Sequence, residues 1–355
     1  MSTTLRPGSE QAQLQTAVLG PTGYSGFELT RILLGHPRLK PPLLLRRDSE
    51  NGPATLDEVY PHLSGNGSYP LEPFSWSRLE KSGAELLFLA TPHELSRELM
   101  PEAIRRGLRV VDLSGAWRLK QAENRAVYKF TDADPAEAAR LDEAAVYGCP
   151  ELHRDRLRLA QLVANPGCYA NSIILALAPV VFGKLVDSEY GIICDSKSGV
   201  SGAGKTPTAK THFVEVADNL SAYSLFNHRH LGEMLEQLGL HNGQLIFTPH
   251  LLPIPRGILS TIYVRFRKEM TATELEACYR QFYCGCAWVR VFGTRMPQIQ
   301  YSVRSNYCDI GFCLAPDGRR AVIVSCLDNL VKGAAGLAVQ NLNVMYGWDE
   351  REGLQ

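Results

Sequence analysis

The run Thr16-Ala17-Val18-Leu19 leads directly into Gly20-Pro21-Thr22-Gly23-Tyr24-Ser25-Gly26, and a helical pattern opens at Gly26 and continues to Leu34. A short β-rich run, a G-x-x-G-x-x-G turn and a helix form the first unit of a parallel α/β layer. Unpaired N–H groups at such a helix start can hold a pyrophosphate, which makes Gly20, Thr22, Gly23, Tyr24, Ser25 and Gly26 candidate dinucleotide contacts. The spacing departs from G-x-G-x-x-G, so a purely structural turn stands beside that reading. The alternation continues with strands at Leu43–Leu45, Leu86–Leu89 and Val110–Leu113, and predicts a doubly wound, Rossmann-like parallel sheet over residues 16–165. An NAD enzyme places an acid at the end of the second strand. This chain has Arg46-Arg47 there, a pair suited to a 2′-phosphate, so NADP is the expected cofactor.

After Pro166 the pattern changes to longer β-rich segments at 191–196, 244–248, 259–266 and 320–325, which predict an α+β second domain over 166–328. Residues 329–355 form the closing segment, whose helical stretch Asn329 to Met345 is expected to return to the first domain. Residues 1–15 are polar, lack a secretory leader and are expected to be a frayed tail. Lys+Arg and Asp+Glu are 37 each, which disfavours nucleic acid or an anionic membrane as partner. No apolar run approaches the ~20 residues that cross a bilayer, so a soluble, cytoplasmic protein is expected. The nine cysteines have no framework spacing and read as reduced thiols. Cys284-Gly285-Cys286 has no second pair at zinc spacing, so no metal is expected.

Asn165-Pro166-Gly167-Cys168-Tyr169 is a sharp turn before the apolar run Ile173 to Ala178, which places Cys168 at or near a helix N-terminus. Helix-end N–H groups favour a thiolate there, the nucleophile of a covalent acyl transfer. His228-Arg229-His230 with Glu233 gathers two acid–base groups and an anion-binding fork. Gly199 to Thr206 matches the phosphate loop G-x-x-x-x-G-K-[ST], and Ala321 to Val324 leading to Asp328 resembles a magnesium-binding strand end, so a nucleotide hydrolase is the competing reading. Its mid-chain position in the β-rich half weighs against it. The same glycines could instead admit an acyl phosphate near Cys168, with Lys205 and Arg229 contacting substrate anions.

With these pieces assembled, the chain resembles the arginine-pathway acyl-phosphate reductases of the semialdehyde dehydrogenase superfamily over nearly its whole length. The likeness is carried by Gly20 to Gly26 with Glu28-Leu29, Ala90-Thr91-Pro92-His93, Val111 to Ser114 with Arg118-Leu119, and Tyr147 to Glu151. It continues in Asn165 to Tyr169, Ser198 to Gly204, His228 to His230 with Glu233, Arg256 to Leu259 and Asp328 to Gly336. The resemblance implies NADPH-dependent reduction of N-acetyl-γ-glutamyl phosphate to the semialdehyde and phosphate, with a cysteinyl thioester at Cys168 and acid–base chemistry by His230 or His228. On these blocks Ser201, Gly202 and Asn329 join the cofactor candidates. Ser114, Arg118, Asn165 and Glu233 join Arg229 and Lys205 as substrate candidates. The resemblance also implies a homodimer or homotetramer built through the second domain, which would be both catalytic and dimerising. Asn171 replaces a usual Thr and Leu231-Gly232 a usual Thr-Pro. These departures leave open a lysine-pathway relative that reduces a carrier-linked aminoadipyl phosphate, and a non-catalytic dinucleotide sensor is a further alternative.

Overall fold

The computed structural model describes residues 13–47 and 52–354. Seven strands pair in parallel throughout: β1 (Thr16–Leu19), β2 (Leu43–Arg46), β3 (Glu72–Pro73), β4 (Leu86–Leu89), β5 (Arg109–Asp112), β6 (Val146–Tyr147) and β7 (Leu162–Ala164). Helices cover both faces, which is why β4 reads as an unbroken apolar run, β1 is apolar after Thr16, and both are buried at every position. The order β3-β2-β1-β4-β5-β7-β6 reverses direction between β1 and β4. A crevice opens above the carboxyl ends of strands at such a reversal, and the glycine turn lies at that end of β1.

The second sheet is mixed: β8 (Ile192–Gly199), β9 (Ser221–Ala222), β10 (Leu245–Leu252), β11 (Ile258–Arg265), β12 (Val289–Gly293), β13 (Cys308–Leu314) and β14 (Arg320–Leu327), in the order β12-β13-β14-β11-β8-β10-β9. Strand β8 extends three residues past the expected Ser196, because its parallel pairing with β10 continues to Gly199 opposite Leu252. One face is covered by the Cys168–Phe182 helix, which touches β11, β13 and β14 and is buried along nearly all its length. The other face leaves Ile193, Ile246 and Tyr263 exposed.

The chain then returns to the first sheet. A π-helical turn, Val331–Ala335, runs into the fully buried Gly336–Met345 helix, which contacts the Tyr24–Leu34 and Pro150–Leu159 helices. Of the expected tail, residues 1–12 lie outside the described residues, and Leu14 departs from the expectation. Its backbone pairs with the chain at Leu39, and its side chain is buried in the apolar cluster with Leu39 and Leu44. The phosphate-loop reading also fails. Val200–Ala203 is a single 3-10 turn after a strand of the mixed sheet, and no helix follows until Phe213, so the loop lacks the helix N-terminus that would cradle phosphates. Asp328 lies buried, accepting the N–H groups of Arg304, Leu330 and Val331, and shapes the chain return.

Candidate active site

The glycine turn is as tight as its sequence suggested. Gly20 has φ +90, and a Cβ there would lie 2.4 Å from the Ala90 carbonyl oxygen, while one on Gly26 would lie 2.1 Å from the Gly20 carbonyl oxygen. Both positions therefore exclude side chains. The turn opens the Tyr24–Leu34 helix and forms one wall of a cavity of about 290 Å³, whose lining includes Gly23 to Gly26, Arg118, Cys168, Ser201, Gly202, Lys205, His230 and Asn329. Asn329 donates to Ser201 Oγ at 2.9 Å and accepts the Gly257 N–H at 2.7 Å, which fixes the loop facing the glycine turn. Lys205 reaches across to it, with Nζ 3.4 Å from the Thr22 carbonyl and 4.3 Å above the Tyr60 ring. That places Lys205 against the glycine turn rather than beside Arg229. Arg46 and Arg47 end β2 and its exit, and residues 48–51 beyond them lie outside the described residues.

Cys168 is the first residue of its helix and Gly167 is the N-cap. Buried Glu233 organises the turn: it accepts the Gly167 N–H at 2.9 Å, the Tyr147 hydroxyl at 2.7 Å and Arg118 Nη1 at 3.0 Å. Arg118 in turn donates to the carbonyls of Asn165 at 2.7 Å and Leu113 at 2.8 Å, so one ion pair holds the chain on both sides of the cysteine. His230 lies against the turn. A Cβ on Gly167 would sit 2.4 Å from His230 Nε2, and one on Gly333 would sit 2.7 Å from the Cys168 Cβ. Two glycines thus let an imidazole and the returning chain close on the cysteine from either side.

Burial pushes the Cys168 thiol up to about 11, although the N–H groups of Tyr169 and Cys168 and the Arg118 charge pull the other way. The expected helix-stabilised thiolate is therefore corrected to a thiol, because desolvation outweighs the helix end. Burial and the nearby His228, Arg118, Arg229 and His93 push His230 well below its usual value, so it is a neutral imidazole able to accept a proton. Its Nδ1 is buried without a partner. His228 accepts the His230 N–H on Nδ1 at 3.1 Å, with the two rings 4.7 Å apart, and burial lowers it to about 4.

A second cavity of about 330 Å³ shares Cys168, Gly202 and His230 with the first and adds Arg229, Ser198, Thr208, Lys210 and Tyr223. The structure thus brings the glycine turn, Cys168 and both histidines to one place, with Cys168 between two hollows. Lys210, Thr208 and Tyr223 were missed by sequence reasoning, since they stand in irregular chain with no periodic signal.

Ser114 and Asn165 are not walls of either cavity. Ser114 donates to Asp112 at 2.8 Å, and Asn165 to the Ala334 carbonyl at 3.0 Å, so both brace the backbone around the site. Asn171 likewise faces inward, donating to the Lys332 carbonyl at 2.9 Å, and Gly232 is pressed against Asn124. Neither departure reaches either hollow.

Comparison with known proteins places the chain among relatives of shared architecture. Residues 15–160 match the signature of the semialdehyde dehydrogenase NAD binding domain, and residues 168–329 that of the semialdehyde dehydrogenase dimerisation domain. The chain is 40% identical over 342 residues to N-acetyl-gamma-glutamyl-phosphate reductase of Methanocaldococcus jannaschii, covering 96% of this chain and 97% of that one. It is 42% identical over 345 residues to the protein of the same name from Syntrophobacter fumaroxidans, covering 96% and 98%. Among solved structures, aspartate semialdehyde dehydrogenase with NADP from Candida albicans superposes with a TM-score of 0.67 at 14% identity, over 94% of this chain and 99% of that one, a likeness of fold.

Proposed function

The chain belongs to the N-acetyl-γ-glutamyl-phosphate reductases of the semialdehyde dehydrogenase family, and we propose that it makes N-acetylglutamate semialdehyde and phosphate through a thioester on Cys168, using NADPH. The observation that carries this reading is Cys168 at a helix start, between a hollow walled by the glycine turn and a hollow walled by Lys210 and Arg229.

Cys168 Sγ attacks the γ-carbonyl carbon while neutral His230 takes the thiol proton. The tetrahedral oxyanion collapses, the bond from carbon to phosphate oxygen breaks, and His230 returns the proton to the departing phosphate. When bound, the nicotinamide would supply the hydride that adds to the thioester carbonyl carbon. Loss of the Cys168 sulfur from that carbon then frees the semialdehyde, and the thiolate regains a proton from solvent through His230. Thiol and neutral imidazole, rather than thiolate and imidazolium, are the resting pair.

The tight turn at Gly20 and Gly26, the helix start at Tyr24 and the Lys205 ammonium suit a pyrophosphate. Arg46 and Arg47 end the strand that reads the ribose, which favours NADP. Arg118 and Glu233 act by holding the turn. Arg229 and Lys210 face the substrate's anions. A second copy covers the exposed face of the mixed sheet around Ile193, Ile246 and Tyr263, giving a homodimer or a homotetramer of such dimers. No helix among the described residues is long and apolar enough to cross a membrane, and the nine cysteines are free, in keeping with a cytoplasmic enzyme.

Nicotinamide absorbance tests the reading. Purified protein with NADP, phosphate and N-acetylglutamate semialdehyde should reduce NADP in the reverse direction, far better than NAD. Signal only with a carrier-linked aminoadipyl compound would move the substrate, and silence with both would overturn the reading.

A further inference from the structure

His93 and Arg229 come from different lobes, one opening the His93–Arg105 helix after β4 and the other lying just before the Leu231–Leu238 helix, yet their side chains meet. The Gly115 N–H donates to His93 Nδ1 at 2.8 Å, so the proton of the neutral ring is on Nε2. Nε2 is the nitrogen turned to the Arg229 guanidinium. A guanidinium has donors and no acceptor, so in this tautomer the two side chains turn N–H donors toward the same place. Burial, Arg229 and Arg118 hold the imidazole neutral down to about 4, so Nδ1 stays free to accept from Gly115. Among the described residues no carboxylate pairs with Arg229, which lies over the Tyr128 ring at 5.9 Å. What completes such a pair is an anion that accepts from both.

We propose that His93 and Arg229 together bind the phosphoryl group of the acyl phosphate, and inorganic phosphate in the reverse direction. The assignment rests on the reductase reading above and adds His93 to it. Arg229 and His230 line the second cavity together with Cys168, His230 lies against the Cys168 turn, and the phosphate leaves the very carbon that Cys168 attacks. The substrate's other anion, its α-carboxylate, is at the far end of the carbon chain, where Lys210 on the wall of the second cavity supplies a cation. Thr91, on the wall of the first cavity, has a buried hydroxyl with no partner and is a further donor on the same loop. Because the two donors belong to different lobes, bound phosphate also ties the lobes together.

His93→Asn and His93→Gln separate the two ring nitrogens. The Asn carbonyl oxygen replaces Nδ1 and keeps the bond to Gly115, but the variant has no donor at Nε2, whereas the Gln amide restores a donor there. In the reverse reaction His93→Asn should raise the KM for phosphate about tenfold or more, the usual loss for a hydrogen bond to a charged group, and leave the KM for the semialdehyde within about twofold. His93→Gln should recover much of the loss. An unchanged phosphate KM, or a rise in the semialdehyde KM instead, would overturn the assignment, the latter pointing to the α-carboxylate. A second arm needs no turnover: inorganic phosphate should slow alkylation of Cys168 by iodoacetamide in the wild type and not in His93→Asn. Equal protection in both would overturn the proposal. Failure of the reductase reading would show separately, as a wild-type protein without activity in any direction.

Discussion

Lys332 and Glu151 form an ion pair at 2.7 Å with side-chain exposures of 0% and 1%, and the lysine belongs to the π-helical turn that sets Gly333 against Cys168. The Gln340 side chain bonds to both, its carbonyl accepting from Lys332 at 2.7 Å and its amide donating to Glu151 at 3.0 Å. A charge this deep is tolerated only because its partner and the amide satisfy it. π turns of this kind recur at functional sites, and here the turn is held from behind by charge.

Lys332→Met should therefore cost about 3–5 kcal/mol in unfolding free energy, because it strands the Glu151 carboxylate in the interior. Combining it with Glu151→Leu should recover a large part of that loss, since the pair is then removed as a unit. Denaturant unfolding of the single and double variants measures this. A double variant as unstable as the sum of the two singles would mean that the pair is not coupled.

Gly167→Ala keeps an allowed backbone, at φ −71 and ψ 145, so its effect should be steric alone. The added methyl must displace the His230 ring. Stability should fall by about 1–3 kcal/mol, as for other overpacked sites, while kcat falls by about two orders of magnitude, the worth of a positioned acid–base group. Loss of stability with kcat intact would show that His230 is not the group that moves the Cys168 proton.

The thiol at about 11 and the depressed His230 predict how Cys168 reacts with iodoacetamide. Its alkylation rate should keep rising with pH through the alkaline range. A rate already at its plateau near pH 7 would show a stabilised thiolate instead.

His93 and His228 are both lowered from 6.5 to about 4, by burial first and then by Arg229, and His93 by Arg118 as well. Groups whose folded pKa is depressed must take up protons on unfolding in acid. Their stabilisation is present above pH 6.5 and is lost as the pH falls toward 4. Melting temperature should drop across that window, and the drop should shrink when His228 is replaced by Asn. A flat profile between those values would contradict the neutral imidazoles.

Much of this was legible in the sequence, where the signal is local. The strand Thr16–Leu19, its glycine turn and the helix after it depend on neighbours in the chain, and so does the placement of Cys168 at a helix start. The parts that were not legible come from distant pairs. Glu233 meets Arg118 across 115 positions, and Lys332 meets Glu151 across 181, with no periodicity to announce either. Helix-end chemistry predicted a thiolate at Cys168, but the burial that reverses it depends on Gly333, Gly167 and His230 closing in from separate segments. Lys205, read as a substrate contact from its motif, lines the cavity that holds Cys168 and also reaches the glycine turn, a contact its motif did not announce.

Arg47→Glu, alone or with Arg46→Glu, should weaken NADPH far more than NADH, since only NADPH carries the extra phosphate. Kd values for both by fluorescence titration measure this. An equal loss would place the ribose elsewhere.

The most direct test of the central claim is an acyl-trapping experiment. Protein mixed with N-acetyl-γ-glutamyl phosphate in the absence of NADPH is quenched in acid and its Cys168 peptide weighed. The account predicts one N-acetylglutamyl group on Cys168, lost when NADPH is added before the quench and absent in Cys168→Ser. An unmodified Cys168 in a protein that turns over, or full turnover by Cys168→Ser, would contradict it.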